Sequence, residues 1–310
     1  MPPFSISTVI PTVGRASLDR AVESVLGQSI DPSRSEVIVV NDGTASLSPA
    51  AWQESPRVRM LSSARPRSGP SAARNLGSLE ARGHFLHFLD DDDWMLPGAF
   101  AAFASAHRRT PSARWLYGIV KRQSRSGEDR GAFPDGLEGN VLAAILSGEW
   151  LPFQGSLVER RLFGELGGFN PAYPVSEDVD LQLRLSLETD LCRVRTPVCV
   201  YSEGVEASTT RRDLYAEYLF RAHDALFDRA EMVPRAVASA TTPHLYGKVL
   251  RHCLIALRDA LVATRPWAAL RRAAVLVALL GRAGRALWTR ELWRALRSNH
   301  AGMTPRPTAV

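Results

Sequence analysis

The feature that most constrains the fold is an alternation of strand-length apolar runs with helix-length segments. Residues 6–10 and 37–40 predict two strands, and residues 17–28, with apolar side chains at helical spacing, predict the helix between them. A second unit runs from a strand at 58–61 to a helix at 71–82. This order predicts an α/β fold with a mainly parallel sheet flanked by helices.

Four consecutive aspartates, Asp90 to Asp93, follow the apolar run 85–89. Neighbouring carboxylates repel one another unless water or a cation compensates. In an extended segment alternate side chains share a face, so we expect Asp90 and Asp92 on one side and Asp91 and Asp93 on the other. Oxygen ligands after a buried strand favour a hard divalent cation, and the competing interpretation is a solvated acidic loop.

Polar residues follow three of the predicted strands. Pro11 and Thr12 end the first, Asp42 follows the second, and the aspartates follow the strand at 85–89. In open α/β sheets, ligands bind beyond the carboxyl ends of the strands. The sequence therefore predicts a single ligand crevice at that edge.

Charge divides the chain of 310 residues. Residues 241–310 contain 12 Lys and Arg against 2 Asp and Glu, whereas residues 1–240 contain 26 against 30. We therefore predict an α/β domain at 1–215 and a basic helical region at 216–310. The body is slightly acidic and has no nucleic-acid-binding motif, so no nucleic-acid partner is expected.

The basic region predicts amphipathic helices. One apolar stripe begins at Leu245 and ends at Leu261, and Trp288 and Trp293 are flanked by arginines. No apolar stretch approaches the roughly 20 residues of a spanning helix. Arginine with tryptophan suits the surface of an anionic membrane, and a helical cap or a homodimer interface is the alternative.

The remaining composition bears on location. Cys192, Cys199 and Cys253 lack metal-ligand spacing, which favours packing roles in a reducing compartment. No secretory signal opens the chain, so we expect a cytoplasmic protein, in peripheral contact with the inner face of the membrane if the helices bind lipid.

Six motifs in register resemble family 2 glycosyltransferases of the GT-A fold. They are STVIPT at 7–12, LGQS at 26–29, EVIVVNDGT at 36–44, SAARNLG at 71–77, FLDDDD at 88–93, and LGGFN with SEDVDL at 166–181. The resemblance covers about residues 4–210. It implies an inverting transfer of a sugar from a nucleoside diphosphate, UDP or dTDP, to an acceptor hydroxyl in polysaccharide or glycoconjugate biosynthesis.

The resemblance also implies which residues bind the donor: Pro11, Thr12, Arg15, Asp42, Arg74, Asp90 and Asp91. Asp42 would accept the imide N–H of the base, although a turn aspartate is the alternative. Arg74 would lie near the diphosphate, and Asp90 or Asp91 would bind the ribose. A surface arginine is the alternative for Arg74.

In the D-x-D element of the family, the aspartate nearer the carboxyl end binds the metal. This role falls on Asp92, with Mg²⁺ or Mn²⁺ on the diphosphate. Asp93 is expected to cap the segment 94–106. Many relatives have a histidine near the metal or the diphosphate, at the position of residues 201–206, and this chain has none there. Three alternatives follow: Glu203 or Glu206 takes the place of the histidine, Asp92 is sufficient to bind the metal, or the metal dependence is weak.

The general base implied by the family is Asp178, and Glu177 is the competing candidate. An ordinary helix start with an Asp180–Arg184 pair is the alternative for this acidic cluster. Leucines alternate with polar residues through 179–187, which predicts a strand, whereas the family has a helix there.

Trp150 and Gln154 are the candidate contacts to a carbohydrate, lipid-linked or small-molecule acceptor, with a core tryptophan as the alternative for Trp150. His84 and His87 are expected to be packing residues. The rival function is a non-catalytic nucleotide-sugar-binding or scaffolding protein on the same fold. A nucleotidyltransferase is disfavoured because no glycine-rich phosphate loop followed by lysine is present.

Overall fold

The computed structural model describes residues 4–124, 126–133, 136–203, 218, 221–222, 235–262, 264 and 266–297. The chain divides into two compact units. The first contains Met1–Asn140, Leu151–Glu177 and Glu188–Gly204, and the second contains Val141–Trp150, Asp178–Leu187 and Val205–Val310. The predicted boundary at 215 lies outside the described residues.

The strands of the described residues form one sheet in the first unit. They are β1 Ile6–Thr12, β2 Ser35–Asn41, β3 Val58–Ser62, β4 Phe85–Phe88, β5 Trp94–Met95, β6 Trp115–Ser124, β7 Asp129–Ala132, β8 Ser156–Glu159 and β9 Leu191–Glu203. Their order is β3-β2-β1-β4-β8-β6-β9-β5, and β7 pairs with β6.

The predicted parallel arrangement holds on one side of the sheet. Strands β3, β2, β1 and β4 are parallel to their neighbours, whereas β8 is antiparallel to both β4 and β6. All seven residues of β1 are buried. This parallel core brings the carboxyl ends of β1, β2 and β4 to one edge, as the sequence predicted.

The described helices are α1 Leu18–Leu26, α2 Pro70–Glu80, α3 Ala99–Arg109, α4 Leu142–Leu146, α5 Arg160–Glu165, α6 Glu177–Glu188, α7 Arg235–Val262, α8 Pro266–Ala283 and α9 Arg290–Arg297. Helix α2 lies close against the sheet at Gly77. A Cβ atom there would lie 2.4 Å from Val9 Cγ1 and 3.1 Å from Val40 Cγ2. This close approach fixes the position of α2, which carries Arg74, against β1 and β2.

The leucine pattern of residues 179–187 left helix and strand as alternatives. Residues 177–188 form a helix, so the strand predicted by periodicity is wrong. Three of the four leucines are buried, and so are the neighbouring polar residues Asp180, Gln182 and Ser186. Burial around nearly the whole helix removes the amphipathic pattern that would have indicated it. Asp180 accepts from Arg184 Nε at 3.1 Å, which is the pair that the alternative interpretation of this cluster included.

The second unit consists of α4, α7, α8, α9 and most of α6. Lys248 Nζ of α7 lies 3.0 Å from both a Glu149 carboxylate oxygen and the carbonyl oxygen of Gly148. The predicted apolar stripe is buried from Leu245 to Cys253, whereas Leu254 and Leu261 are exposed. No described helix is both long and apolar enough to span a bilayer.

Candidate functional site

The aspartates form a turn at the end of β4. The chain turns at Asp91 and Asp92, and the backbone N–H of Asp93 donates to the carbonyl oxygen of Asp90 at 3.1 Å. One carboxylate oxygen each from Asp90, Asp92 and Asp93 therefore lies within 4.8 Å of the others. The predicted grouping of Asp91 with Asp93 is wrong because it assumed an extended segment.

Asp91 faces the end of β1. Its two oxygens accept hydrogen bonds from Thr12 Oγ1 at 2.6 Å and Arg15 at 2.8 Å, and Thr12 Oγ1 accepts from Gly14 N–H at 2.9 Å. Burial raises the pKa of Asp91, although Thr12 and Arg15 act in the opposite direction. Three of the seven predicted donor-binding residues, Thr12, Arg15 and Asp91, thus form one cluster, and a fourth, Pro11, is buried next to Thr12 in the chain.

Asp93 is held by two hydrogen bonds from residues outside the turn. Its carboxylate accepts from Gln154 Nε2 at 2.6 Å and from Ser202 N–H at 2.7 Å. The predicted cap is wrong, because residues 94–95 form β5 and α3 begins only after Gly98. Gln154 is buried beside Asp93, and its predicted contact with the acceptor stays a prediction.

Of the two carboxylates that pair with Arg15, Asp91 and Asp92, the more accessible is that of Asp92. Its side chain is 33% exposed, against 4% for Asp91, and lies 3.2 Å from Arg15 Nη1. Arg20, which the sequence did not single out, donates to the Asp92 carbonyl oxygen at 3.1 Å and lies over the Trp94 ring. No sequence motif marked this contact, since it joins α1 to the turn.

The donor set of the turn fits a divalent cation. Three carboxylates supply oxygen atoms, which Mg²⁺ and Mn²⁺ prefer. Burial, and next to it the charge of Asp90, raises the pKa of Asp92 and, more strongly, that of Asp93. A bound cation would offset both effects by favouring the ionised carboxylates. The predicted substitute Glu203 pairs with Arg122 at 2.7 Å, and Glu206 lies outside the described residues.

Arg74 lies in the second turn of α2 with a largely buried side chain and bridges two carboxylates. One guanidinium nitrogen lies 2.5 Å from Asp90 Oδ1, and the other lies 2.8 Å from Glu177 Oε1. Its side chain is only 11% exposed, so the alternative of a surface arginine is wrong. Burial acts to lower the pKa of Arg74, and the two carboxylates outweigh that effect and raise it.

Asp42 binds its own chain. Its carboxylate accepts from Ser68 N–H, Ser68 Oγ and Gly69 N–H at 3.1, 2.7 and 2.9 Å. Burial would raise the pKa of Asp42, but these hydrogen bonds and one from Ser63 lower it overall. The ionised side chain thus holds the loop that enters α2, and its predicted contact to the nucleotide base stays a prediction.

Helix α6 begins at Glu177, immediately after Ser176. Ser176 has a φ of +63°, which is uncommon outside glycine, and Glu177 pairs with Arg74. In the second unit, Asp178 Oδ2 accepts from the indole Nε1 of Trp150 at 2.5 Å and Oδ1 accepts from Val179 N–H at 2.9 Å. The sequence singled out Trp150 but did not foresee that its N–H would meet Asp178.

The two histidines are packing residues, as predicted. His87 is fully buried, with Nε2 2.9 Å from the carbonyl oxygen of Gln154. Since a carbonyl only accepts, Nε2 carries the proton and Nδ1 accepts from Thr8 Oγ1 at 3.3 Å. His84 packs against the rings of Phe85 and His107.

Comparison with known proteins decides the family. The sequence model of glycosyl transferase family 2 matches residues 7–163. The chain belongs to family 2 of the glycosyltransferases. It is therefore an enzyme of glycosyl transfer, as its motifs predicted.

Two relatives of this glycosyltransferase align with it beyond that region. An uncharacterized glycosyltransferase of Bacillus subtilis, YwdF, is 28% identical over 69% of this chain and 80% of its own length. The GalNAc(5)-diNAcBac-PP-undecaprenol beta-1,3-glucosyltransferase of Campylobacter jejuni is 30% identical over 52% of this chain and 55% of its own length. The chain thus spans about half of the Campylobacter enzyme.

Solved structures confirm the GT-A fold. TarS 1-349 of S. aureus in complex with UDP-GlcNAc superposes with a TM-score of 0.67 at 14% identity, over 94% of this chain and 84% of TarS 1-349. The α/β fold with flanking helices and a helical C-terminal part agrees with the sequence prediction.

Proposed function

We propose that this glycosyltransferase transfers a sugar from a nucleoside diphosphate, UDP or dTDP, to an acceptor hydroxyl with inversion at the anomeric carbon. The observation that carries the proposal is the bridge from the aspartate turn through Arg74 to Glu177, the residue before Asp178. The S. aureus neighbour was solved with UDP-GlcNAc, which supports a nucleotide-sugar donor.

The first unit provides the groups that such a donor requires. Arg15 and Arg74 offer guanidinium groups to the diphosphate, and Asp90 and Asp91 offer acceptors to the ribose hydroxyls. Asp92 would hold a Mg²⁺ or Mn²⁺ ion together with Asp90. When bound, the ion supplies neutralisation of the charge on the departing nucleoside diphosphate.

Asp178 is the proposed general base. The acceptor oxygen forms a bond to C1 while the bond from C1 to the phosphate oxygen breaks, the proton passes to Asp178, and the nucleoside diphosphate leaves. A single displacement inverts C1. Glu177 is the competing candidate, and its 2.8 Å ion pair with Arg74 assigns it instead to holding that guanidinium in place.

The acceptor is proposed to be a lipid-linked glycan. The Campylobacter relative is named for the acceptor GalNAc(5)-diNAcBac-PP-undecaprenol, a glycan linked to a lipid, which supports this proposal. A carbohydrate or small-molecule acceptor would bind the same base, because the chemistry requires only a hydroxyl group.

Asp178→Asn tests the function. Because the amide cannot take the proton, we expect transfer from a nucleotide sugar to a synthetic polyprenyl-diphosphate sugar to fall by about a hundredfold or more, while the dissociation constant of the donor stays unchanged. Glu188→Gln, exposed at the other end of α6, is the control. Undiminished transfer in Asp178→Asn would disprove the base, and no transfer by the wild type from any nucleotide sugar would contradict the function.

A further inference from the structure

Helix α8 leaves one apolar face in solvent. Trp267, Leu270 and Val277 are 82%, 61% and 67% exposed, and Ala274 between them is also exposed. Their spacing of three, four and three residues places all four side chains on a single face of the helix. Large apolar side chains that share one exposed face indicate a surface for a partner.

Aromatic side chains extend this character into the following segment. Trp288, in the 3-10 turn Gly284–Trp288, is 89% exposed, and Trp293 of α9 is 47% exposed. Trp293 Nε1 donates to the carbonyl oxygen of Leu287 at 2.8 Å, so its ring is held in place. Tryptophan is the side chain that accumulates at the boundary between lipid headgroups and hydrocarbon.

The charge of this region is cationic. Helix α8 contains Arg271, Arg272 and Arg282 and no acidic residue. On α9 the exposed arginines Arg290, Arg294 and Arg297 accompany a single glutamate. A second copy of the chain meeting this face by two-fold symmetry would bring like charges together, which costs free energy. Charge complementarity therefore favours an anionic partner.

We propose that the exposed apolar face of α8, defined by Trp267, Leu270, Ala274 and Val277, docks on an anionic lipid bilayer. The apolar side chains enter the headgroup region, and the positive charge of this part of the sequence is attracted to lipid phosphates. The purpose of docking, access to a lipid-linked acceptor, rests on the proposed function. The binding itself is independent of it.

Flotation of the full chain tests the docking. We expect it to float with vesicles of phosphatidylcholine and phosphatidylglycerol at low salt, and neither with pure phosphatidylcholine vesicles nor at high salt. Trp267→Glu with Val277→Glu should weaken binding about tenfold or more, because it places two carboxylates in the headgroup region. Leu79→Glu, at an equally exposed leucine of the first unit, is the matched control and should bind as the wild type does.

A second double variant tests the proposal even if Trp267→Glu with Val277→Glu fails to fold. Arg290→Gln with Arg294→Gln leaves the apolar face intact and should reduce the salt dependence of binding. The proposal would be overturned if the wild type floated equally well with anionic and with pure phosphatidylcholine vesicles. It would also be overturned if all variants floated as the wild type does. A dimer, seen by light scattering, that Trp267→Glu with Val277→Glu dissociates without changing vesicle binding would overturn it as well. Flotation with no binding of any nucleotide sugar would instead contradict the proposed function alone.

Discussion

At the residue scale, the indole of Trp150 and the carboxylate of Asp178 form the contact with the clearest chemical consequence. A hydrogen bond from Nε1 stabilises the ionised carboxylate and fixes its orientation. A carboxylate oxygen retains a second lone pair while it accepts one hydrogen bond. Asp178 can therefore be held by Trp150 and still receive a proton, which makes Trp150 a positioning residue in the proposed reaction.

Trp150→Phe removes the N–H donor and keeps most of the ring. We expect kcat to fall by about tenfold, as for the loss of a hydrogen bond to a charged group, with the donor dissociation constant unchanged. The acid limb of the pH profile of kcat should move to higher pH, because the carboxylate protonates more easily without its donor. Trp267→Phe, at an exposed tryptophan, is the control. An unchanged pH profile in Trp150→Phe would rule out positioning.

The aspartate turn shows what the sequence can and cannot predict about single residues. Four adjacent carboxylates after an apolar run indicate a cation site, and the family resemblance assigned the metal to Asp92 and the ribose to Asp90 or Asp91. The turn itself depends on Gln154 and Ser202, which lie 61 and 109 residues away from Asp93. Such contacts are set by the packing of β8 and β9 and leave no local pattern, so the role of Asp93 was wrongly predicted.

At the scale of elements, β4 carries a buried neutral histidine. Burial lowers the pKa of His87 to about 4, whereas an unfolded histidine titrates near 6.5. The unfolded chain therefore binds a proton before the folded chain does. Stability from this neutral histidine is complete above about pH 6.5 and is lost as the pH falls toward 4.

His87→Gln removes this titration. We expect the stability advantage of the wild type over His87→Gln, measured as the free energy of unfolding in urea, to shrink by about 3 kcal/mol between neutral pH and pH 4. Thr8→Val removes the hydrogen bond to Nδ1 and keeps the imidazole. It should retain the acid sensitivity of the wild type, and an advantage over His87→Gln that does not vary with pH would contradict the assignment.

Elements differ in how far their sequence specifies them. Strands β1, β2 and β4 are buried apolar runs between polar turns, and each was predicted within a few residues of its observed bounds. Helix α6 was not specified by periodicity, because its polar residues are buried with its leucines. Family resemblance supplied the helix where hydrophobic pattern could not.

At the scale of the whole molecule, positive charge is concentrated in the C-terminal part of the sequence. The net positive charge of residues 241–310 was evident from composition, and the structure adds which side chains of α8 and α9 are exposed. The assignment of 141–150 and 178–187 to the second unit was not predicted. It follows from contacts between segments distant in sequence, such as that of Lys248 with Glu149.

The most direct test of the account is calorimetric titration of a panel of UDP and dTDP sugars into the wild type and Asp92→Asn, each with and without Mn²⁺. We expect one nucleotide sugar to bind the wild type in the presence of Mn²⁺ and to bind at least about tenfold more weakly without the ion, since the carboxylates and the diphosphate then repel each other. Asp92→Asn should bind weakly in both conditions. Binding that depends on neither Mn²⁺ nor Asp92, or no binding by any member of the panel, would contradict the account.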